Sequence, residues 1–332
     1  MVLRTAILFS VCSVGLFLPL YLLANENAPQ EQTSQLGERV WQTDDPAPLQ
    51  IEPTTRIVNI GVGPWLNRLS QATDFEPILR WVEESTGYDC VLNISPNYES
   101  LNSDLVNGYI DVAILSAAAY SNVLSMPDVQ THYIATVIAG SENQSNTYYR
   151  GYIFTHEDSS GQDLNSLKGK PFAFVDRGSS SGFQYPMALM LEAGIVPSRD
   201  FKSVFYLGSH DRVVSAVADK QVYAGAVWDD TLTSAQAAGK ALKIMAKTGP
   251  IPREAWVAGS KVEAEVVEKI QAALVSADLK SKTKNGQLAL KGGYLYSGFK
   301  VESPQFYKGV QTMKNVLQKH GELLRAGSGN AK

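Results

Sequence analysis

From residue 56 onward the apolar positions alternate between two periods. Arg56-Ile57-Val58-Asn59-Ile60-Gly61-Val62 reads as a buried strand, after which Phe75, Ile78, Leu79 and Val82 share one helical face that ends at Gly87. A strand over 91–94, a helix over 101–106 stopped by the Asn107-Gly108 turn, and a strand over 110–115 complete a doubly wound α/β run. The same grammar restarts with strand 172–175, helix 183–193, strand 204–207, helix 213–218 and strand 222–227. A faint echo links the halves: Asn107-Gly108 precedes Ile110-Asp111-Val112-Ala113-Ile114 much as Asp219-Lys220 precedes Val222-Tyr223-Ala224-Gly225-Ala226. Extended segments join them, 149–155 going out and 244–256 coming back across Gly249-Pro250-Ile251-Pro252, and helices over 262–274 and 306–317 return to the first half. The expected architecture is therefore α/β with two lobes, each a doubly wound sheet with flanking helices. Residues 56–151 and 249–332 make lobe 1 and 152–248 make lobe 2, with a hinge of crossing strands that suits closure on a ligand.

The first 55 residues lack this periodicity. Arg4 is the lone positive charge before the almost wholly apolar run from Ala6 to Leu23, so residues 1–24 read as a signal peptide or, if uncleaved, as an N-terminal anchor. Residues 25–55 carry Pro29, Pro46, Pro48 and Pro53 among polar side chains and read as a flexible tether. With 332 residues, 44% of them hydrophobic and 19% charged, and a net charge of −4, the remainder is a soluble globular chain that does not invite nucleic acid. Beyond the leader Cys90 is the sole cysteine, which excludes an intramolecular disulfide. No H-E-x-x-H, C-x-x-C or Walker A run is present, and Gly61-Val62-Gly63 stops short of G-x-G-x-x-G, so no metal, nucleotide or redox cofactor is expected.

The chemistry concentrates where strands run into helices. Asp176-Arg177-Gly178-Ser179-Ser180-Ser181-Gly182-Phe183 brings three hydroxyls to a helix start, where free backbone N–H groups and a positive partial charge suit an oxyanion. A single serine would suffice to cap the helix, so this turn also has a purely structural explanation. It has a catalytic one too, because Gly178-Ser179-Ser180-Ser181-Gly182 satisfies G-x-S-x-G, with Ser180 as nucleophile and His210 as base of an esterase. Against this, the hydrolase order needs an acid between serine and histidine with most of a sheet separating them, and only 30 residues separate Ser180 from His210. Gly208-Ser209-His210-Asp211 also lies at a strand end, where ligands of open α/β sheets bind and an imidazole can donate to an anion. Tyr98, Ser116, Tyr120 and Tyr149 stand at comparable places, and tyrosine combines a water-excluding ring with a donor hydroxyl. Asp230 and Glu254 are candidate acceptors for a P–OH or ammonium group.

In order and spacing, the Asp176–Phe183 turn, Gly208-Ser209-His210-Asp211, Tyr149-Arg150 and the Pro-Ile-Pro crossing resemble the phosphate/phosphite/phosphonate-binding proteins of ABC importers, over roughly residues 56–295. The resemblance implies a class II periplasmic-binding-protein fold closing on an oxyanion without catalysis, an extracytoplasmic location, and a permease with its ATPase as partners of a monomer. It implies that Ser179, Ser180, Ser181, His210, Tyr98 and Tyr149 hold the phosphorus oxygens, with Asp230 and Glu254 on the substituent side. Two positions depart from the family: Arg177 replaces the usual proline, and Glu254 stands where aspartate is expected. A membrane-anchored sensor with the same lobes is the alternative in a second class; a mature N-terminus near Asn25 would count against it.

Overall fold

A computed structural model of the chain describes residues 55–140, 146–303 and 305–321. The expected leader, and the tether apart from Thr55, lie outside these residues. Strands β1 (Ile57–Val62), β2 (Asp89–Ile94) and β3 (Val112–Leu115) are linked by α1 (Arg68–Thr86) and α2 (Tyr98–Asn107). After α3 (Ala117–Leu124) and β4 (Thr131–Gly140) the chain crosses through β5 (Tyr148–Tyr149) into β6 (Gly151–His156). There β7 (Pro171–Phe174), α4 (Tyr185–Glu192), the short α5 (Pro197–Asp200), β8 (Ser203–Tyr206), α6 (His210–Ala218), β9 (Ala224–Trp228), α7 (Asp229–Ala237) and β10 (Leu242–Lys247) follow. The return runs through β11 (Ile251–Pro252) into β12 (Ala255–Gly259), α8 (Ala264–Ser276), β13 (Gly293–Lys300) and α9 (Gly309–Lys319).

Two sheets result, ordered β13-β4-β12-β3-β1-β2 and β10-β6-β9-β7-β8, and a two-stranded β11-β5 ribbon forms the hinge. Read from the right, both sheets place the second, first and third parallel strands side by side, then an antiparallel strand arriving from the hinge. The echo noted in the sequence thus falls on equivalent strands, β3 and β9. All four residues of β3, Val112, Ala113, Ile114 and Leu115, are buried because helices cover both faces, which makes a parallel strand read as a continuous apolar run. On one face α1 and α8 supply Phe75, Ile78, Val82, Val266, Ile270 and Leu274; on the other lie Leu101 and Leu105 of α2 and Val310 and Met313 of α9. The second sheet is sandwiched likewise, by Met187, Met190 and Leu191 of α4 and by Val213, Val214 and Val217 of α6.

The pattern reading differs from the structure in two ways. Helix α1 begins seven residues before the apolar face at Phe75 is established, because the Asn67 side chain accepts from Ser70 N–H at 3.0 Å and caps it; Gly87, at φ 75°, ends it in the left-handed conformation glycine favours. The sheets are mixed rather than purely parallel: a chain that crosses from the other lobe enters antiparallel, as β6 does beside β9 and β12 beside β3.

Candidate functional site

Every one of the six parallel strands delivers a residue to one chamber beyond its carboxyl end. Trp65 follows β1, Tyr98 follows β2, Ser116 follows β3, Ser179 to Ser181 follow β7, His210 follows β8, and Trp228 ends β9; Tyr149 of β5 and Glu254 come from the hinge. This is the position at which open α/β sheets bind ligands, and the N-termini of α2, α3 and α6 and of the helical run starting at Ser180 begin there.

Local packing explains the serine turn. Ser179 Oγ accepts from Gly182 N–H at 3.0 Å, so the first serine caps the helix. A Cβ on Gly182 would lie 2.4 Å from Val175 Cγ2, and one on Gly178 would lie 2.4 Å from Tyr98 Cβ. The two glycines of the G-x-S-x-G pattern are therefore required by close approach, of the turn to its own strand and of one lobe to the other. Three hydrogen bonds cross between the lobes here. Ala118 N–H donates to Ser180 Oγ at 2.9 Å, Ser116 Oγ donates to Gly178 C=O at 3.2 Å, and His210 N–H donates to Trp65 C=O at 3.0 Å. With one lone pair of Ser180 taken by Ala118, its hydroxyl proton is still available as a donor.

The charge states follow from burial. Trp228 N–H donates to His210 Nδ1 at 3.3 Å, which puts the ring proton on Nε2. Desolvation pushes the imidazole down to about 3, so His210 is a neutral donor. Burial raises the Tyr98 phenol above its ordinary value, with the Asp176 and Glu254 carboxylates adding to the effect, and Tyr149 moves the same way through burial and Glu254. Both keep their protons, and each pairs with a serine of the turn, Tyr98 with Ser179 and Tyr149 with Ser181. Glu254 is raised by burial, with Arg253 opposing. Among the described residues no lysine or arginine lines the chamber, so its field is made of neutral, directed donors with one acceptor.

Eight of the ten sequence-predicted residues meet in this chamber, and Tyr120 and Asp230 do not. Tyr120 lies a turn further along α3, stacked on Tyr133 with ring centroids 6.2 Å apart and edge-on to Tyr307 at 5.1 Å. Asp230 lies within α7 and pairs with Arg253 at 3.4 Å, because Trp228, two residues earlier, occupies the strand end. Trp65 and Trp228 escaped the sequence reading. The strand-end rule that found the serines would have found both, since Trp65 comes three residues after β1 and Trp228 closes β9. Beyond Tyr98 and Gly178 the cleft widens into an open groove of about 870 Å³, where the Arg177 guanidinium lies over the Tyr206 ring at 4.7 Å.

The esterase geometry does not form. His210 Nδ1 accepts a backbone N–H, so it lacks the carboxylate that would orient a catalytic imidazole.

Residues 60–305 match the family model described as "ABC transporter, phosphonate, periplasmic substrate-binding protein". The chain is 24% identical over 260 residues to the phosphate-import protein PhnD of Mycolicibacterium smegmatis, covering 74% of this chain and 79% of that protein. In fold it is similar to a binding protein component of an ABC phosphonate transporter from Pseudomonas aeruginosa, with a TM-score of 0.70, 18% identity, and 84% and 91% of the two chains covered. It is also similar to PhnD1 of Prochlorococcus marinus in complex with methylphosphonate, with a TM-score of 0.68, 16% identity, and 80% and 99% covered.

Proposed function

Because the chain belongs to the periplasmic substrate-binding proteins of phosphonate ABC transporters, we propose that its chamber captures a tetrahedral phosphorus oxyanion, a phosphonate, phosphite or phosphate, for delivery to a permease and its ATPase. The protein is a solute-binding component that works outside the cytoplasm, and it is not an enzyme. The observation that carries the ligand assignment is the donor set: hydroxyls of Ser179, Ser180, Ser181, Tyr98 and Tyr149, the Nε2–H of His210 and several helix N-termini converge from both lobes, while the Ser116 hydroxyl is spent on the Gly178 carbonyl. A tetrahedral oxyanion needs many short-range donors in fixed directions, and neutral donors hold it without a buried counter-ion. Glu254 supplies the acceptor for a P–OH, which a fully ionised anion lacks. The names of the relatives, a phosphate-import protein and a methylphosphonate complex, favour the same ligand class.

The site is complete within one chain, which supports action as a monomer. Capture works by hinge closure: the three bonds between lobes form as the cleft shuts, and the closed shape is what the permease reads. Residues 1–24 serve export. Calorimetry of the protein without those residues against phosphite, phosphate, methylphosphonate, 2-aminoethylphosphonate and sulfate tests the reading. Micromolar or tighter binding of at least one phosphorus oxyanion is expected, with sulfate at least a hundredfold weaker. Binding to none of them would overturn it.

A further inference from the structure

The apolar wall of the chamber consists of two tryptophans from different lobes. Trp65, after β1, and Trp228, at the end of β9, stack with centroids 6.4 Å apart and planes 20° apart. Both are held from behind. Trp65 stacks on Phe75 at 5.4 Å, while Trp228 is met edge-on by Tyr149 at 6.3 Å and flanked by His210 at 5.9 Å. They are 8% and 6% exposed, so neither ring has solvent to swing into. The Trp65 carbonyl accepts the His210 N–H at 3.0 Å, which ties the stack to the anion-binding imidazole. The Trp65 indole Nε1–H is buried with no acceptor among the described residues, a donor that a ligand oxygen would satisfy.

The room behind this wall is small. The chamber spans about 280 Å³ counted out to its mouth, and little of that is enclosed. The enclosed part, taken as a single sphere, is roughly 80 Å³, less than three waters' share of the liquid. That is the size of one tetrahedral oxyanion with five non-hydrogen atoms. The faces of Trp65 and Trp228 are the apolar part of the lining and Glu254 is its acceptor, so an alkyl substituent of the ligand packs on the rings and a P–OH turns to Glu254.

We propose that the Trp65–Trp228 stack is a size filter that confines the ligand to phosphorus oxyanions whose fourth substituent is no larger than a methyl group: phosphite, phosphate and methylphosphonate. This rests on the oxyanion reading above and narrows it. The filter acts through closure. Its two rings belong to different lobes, so a longer substituent keeps Trp65 off Trp228 and breaks the His210–Trp65 bond even when all phosphorus oxygens are held. An overfilled pocket discriminates by about 10- to 200-fold per methylene.

Calorimetry of the leader-free protein with methyl-, ethyl- and n-propylphosphonate and with 2-aminoethylphosphonate tests this, alongside Trp228→Ala and Trp65→Ala checked for folding by circular dichroism. For the parent, methylphosphonate is expected to bind at least a hundredfold more tightly than n-propylphosphonate; in folded alanine variants the ratio falls below ten. If the parent binds the two within tenfold of each other, or the ratio survives in the variants, the filter is refuted and the oxyanion reading stands. If the parent binds no phosphonate, phosphite or phosphate, the oxyanion reading itself fails. Should both alanine variants misfold, Trp65→Phe, which keeps a stacking ring of smaller area, is expected to improve ethylphosphonate relative to methylphosphonate at least fivefold, and an unchanged ratio overturns the proposal.

Discussion

Replacing Ser180 by alanine tests two functions of one oxygen at once. Ser180 is 1% exposed, its Oγ accepts the Ala118 N–H at 2.9 Å across the lobes, and the proposed site uses its proton for the ligand. Loss of a hydrogen bond to a charged group costs about 1.5–3 kcal/mol, and a buried N–H left without an acceptor costs about 1–3 kcal/mol. The second cost falls only on the closed form, because water reaches Ala118 when the lobes part. Both therefore weaken ligand binding, by about 2.5–6 kcal/mol together, or roughly two to four powers of ten in Kd. Ser180→Thr retains the oxygen and is expected to stay within tenfold of the parent. The assay is calorimetry with the tightest-binding oxyanion, and thermal melting without ligand serves as the folding control. A Ser180→Ala protein that melts like the parent and binds within threefold of it would refute the assignment of Ser180 to the closed, ligand-holding state.

Three further outcomes are expected. Gly178→Ala places a Cβ where Tyr98 Cβ stands 2.4 Å away, so the lobes are held apart and affinity falls at least tenfold; small-angle scattering that shows full ligand-induced closure would contradict this. Burial holds His210 neutral down to about 3 against an ordinary 6.5, so between those values the unfolded chain binds a proton that the folded chain refuses, and stability from this residue drops as pH falls. About 5 kcal/mol is at stake over the whole window. Asp229, raised to about 6 chiefly by burial, and Glu254, also raised, act in the opposite sense over part of that window, since folding favours their protonated forms there. The parent is therefore compared with His210→Gln by denaturant titration from pH 6.5 downward: the parent loses stability relative to the variant, and parallel profiles would exclude the buried neutral imidazole. Glu254→Gln replaces an acceptor that repels fully ionised anions with a neutral amide, so sulfate should gain at least fivefold on phosphate in competition calorimetry, and an unchanged ratio would remove Glu254 from ligand contact.

The two-lobed α/β architecture was legible in the sequence because buried parallel strands and amphipathic helices write their periods locally. Phe172 to Val175 followed by three serines, and 204–207 followed by His210, announce a strand end that opens a helix without reference to any other part of the chain. The strand-end rule then carried those residues, with Tyr98 and Ser116, to one edge of a sheet. What only the tertiary structure decided is what meets what across the cleft. Trp65 and Trp228 lie 163 positions apart in the chain, and their stacking depends on how the hinge brings two sheets together. Tyr120 and Asp230 carry the right groups beside the right strands, yet a helical turn directs one ring to Tyr133 and Tyr307 and an ion pair draws the other carboxylate to Arg253. Periodicity records which face of an element is buried, whereas the partner on that face, the proton on His210 and the size of the chamber are set by contacts between elements far apart in sequence, and no local pattern encodes those.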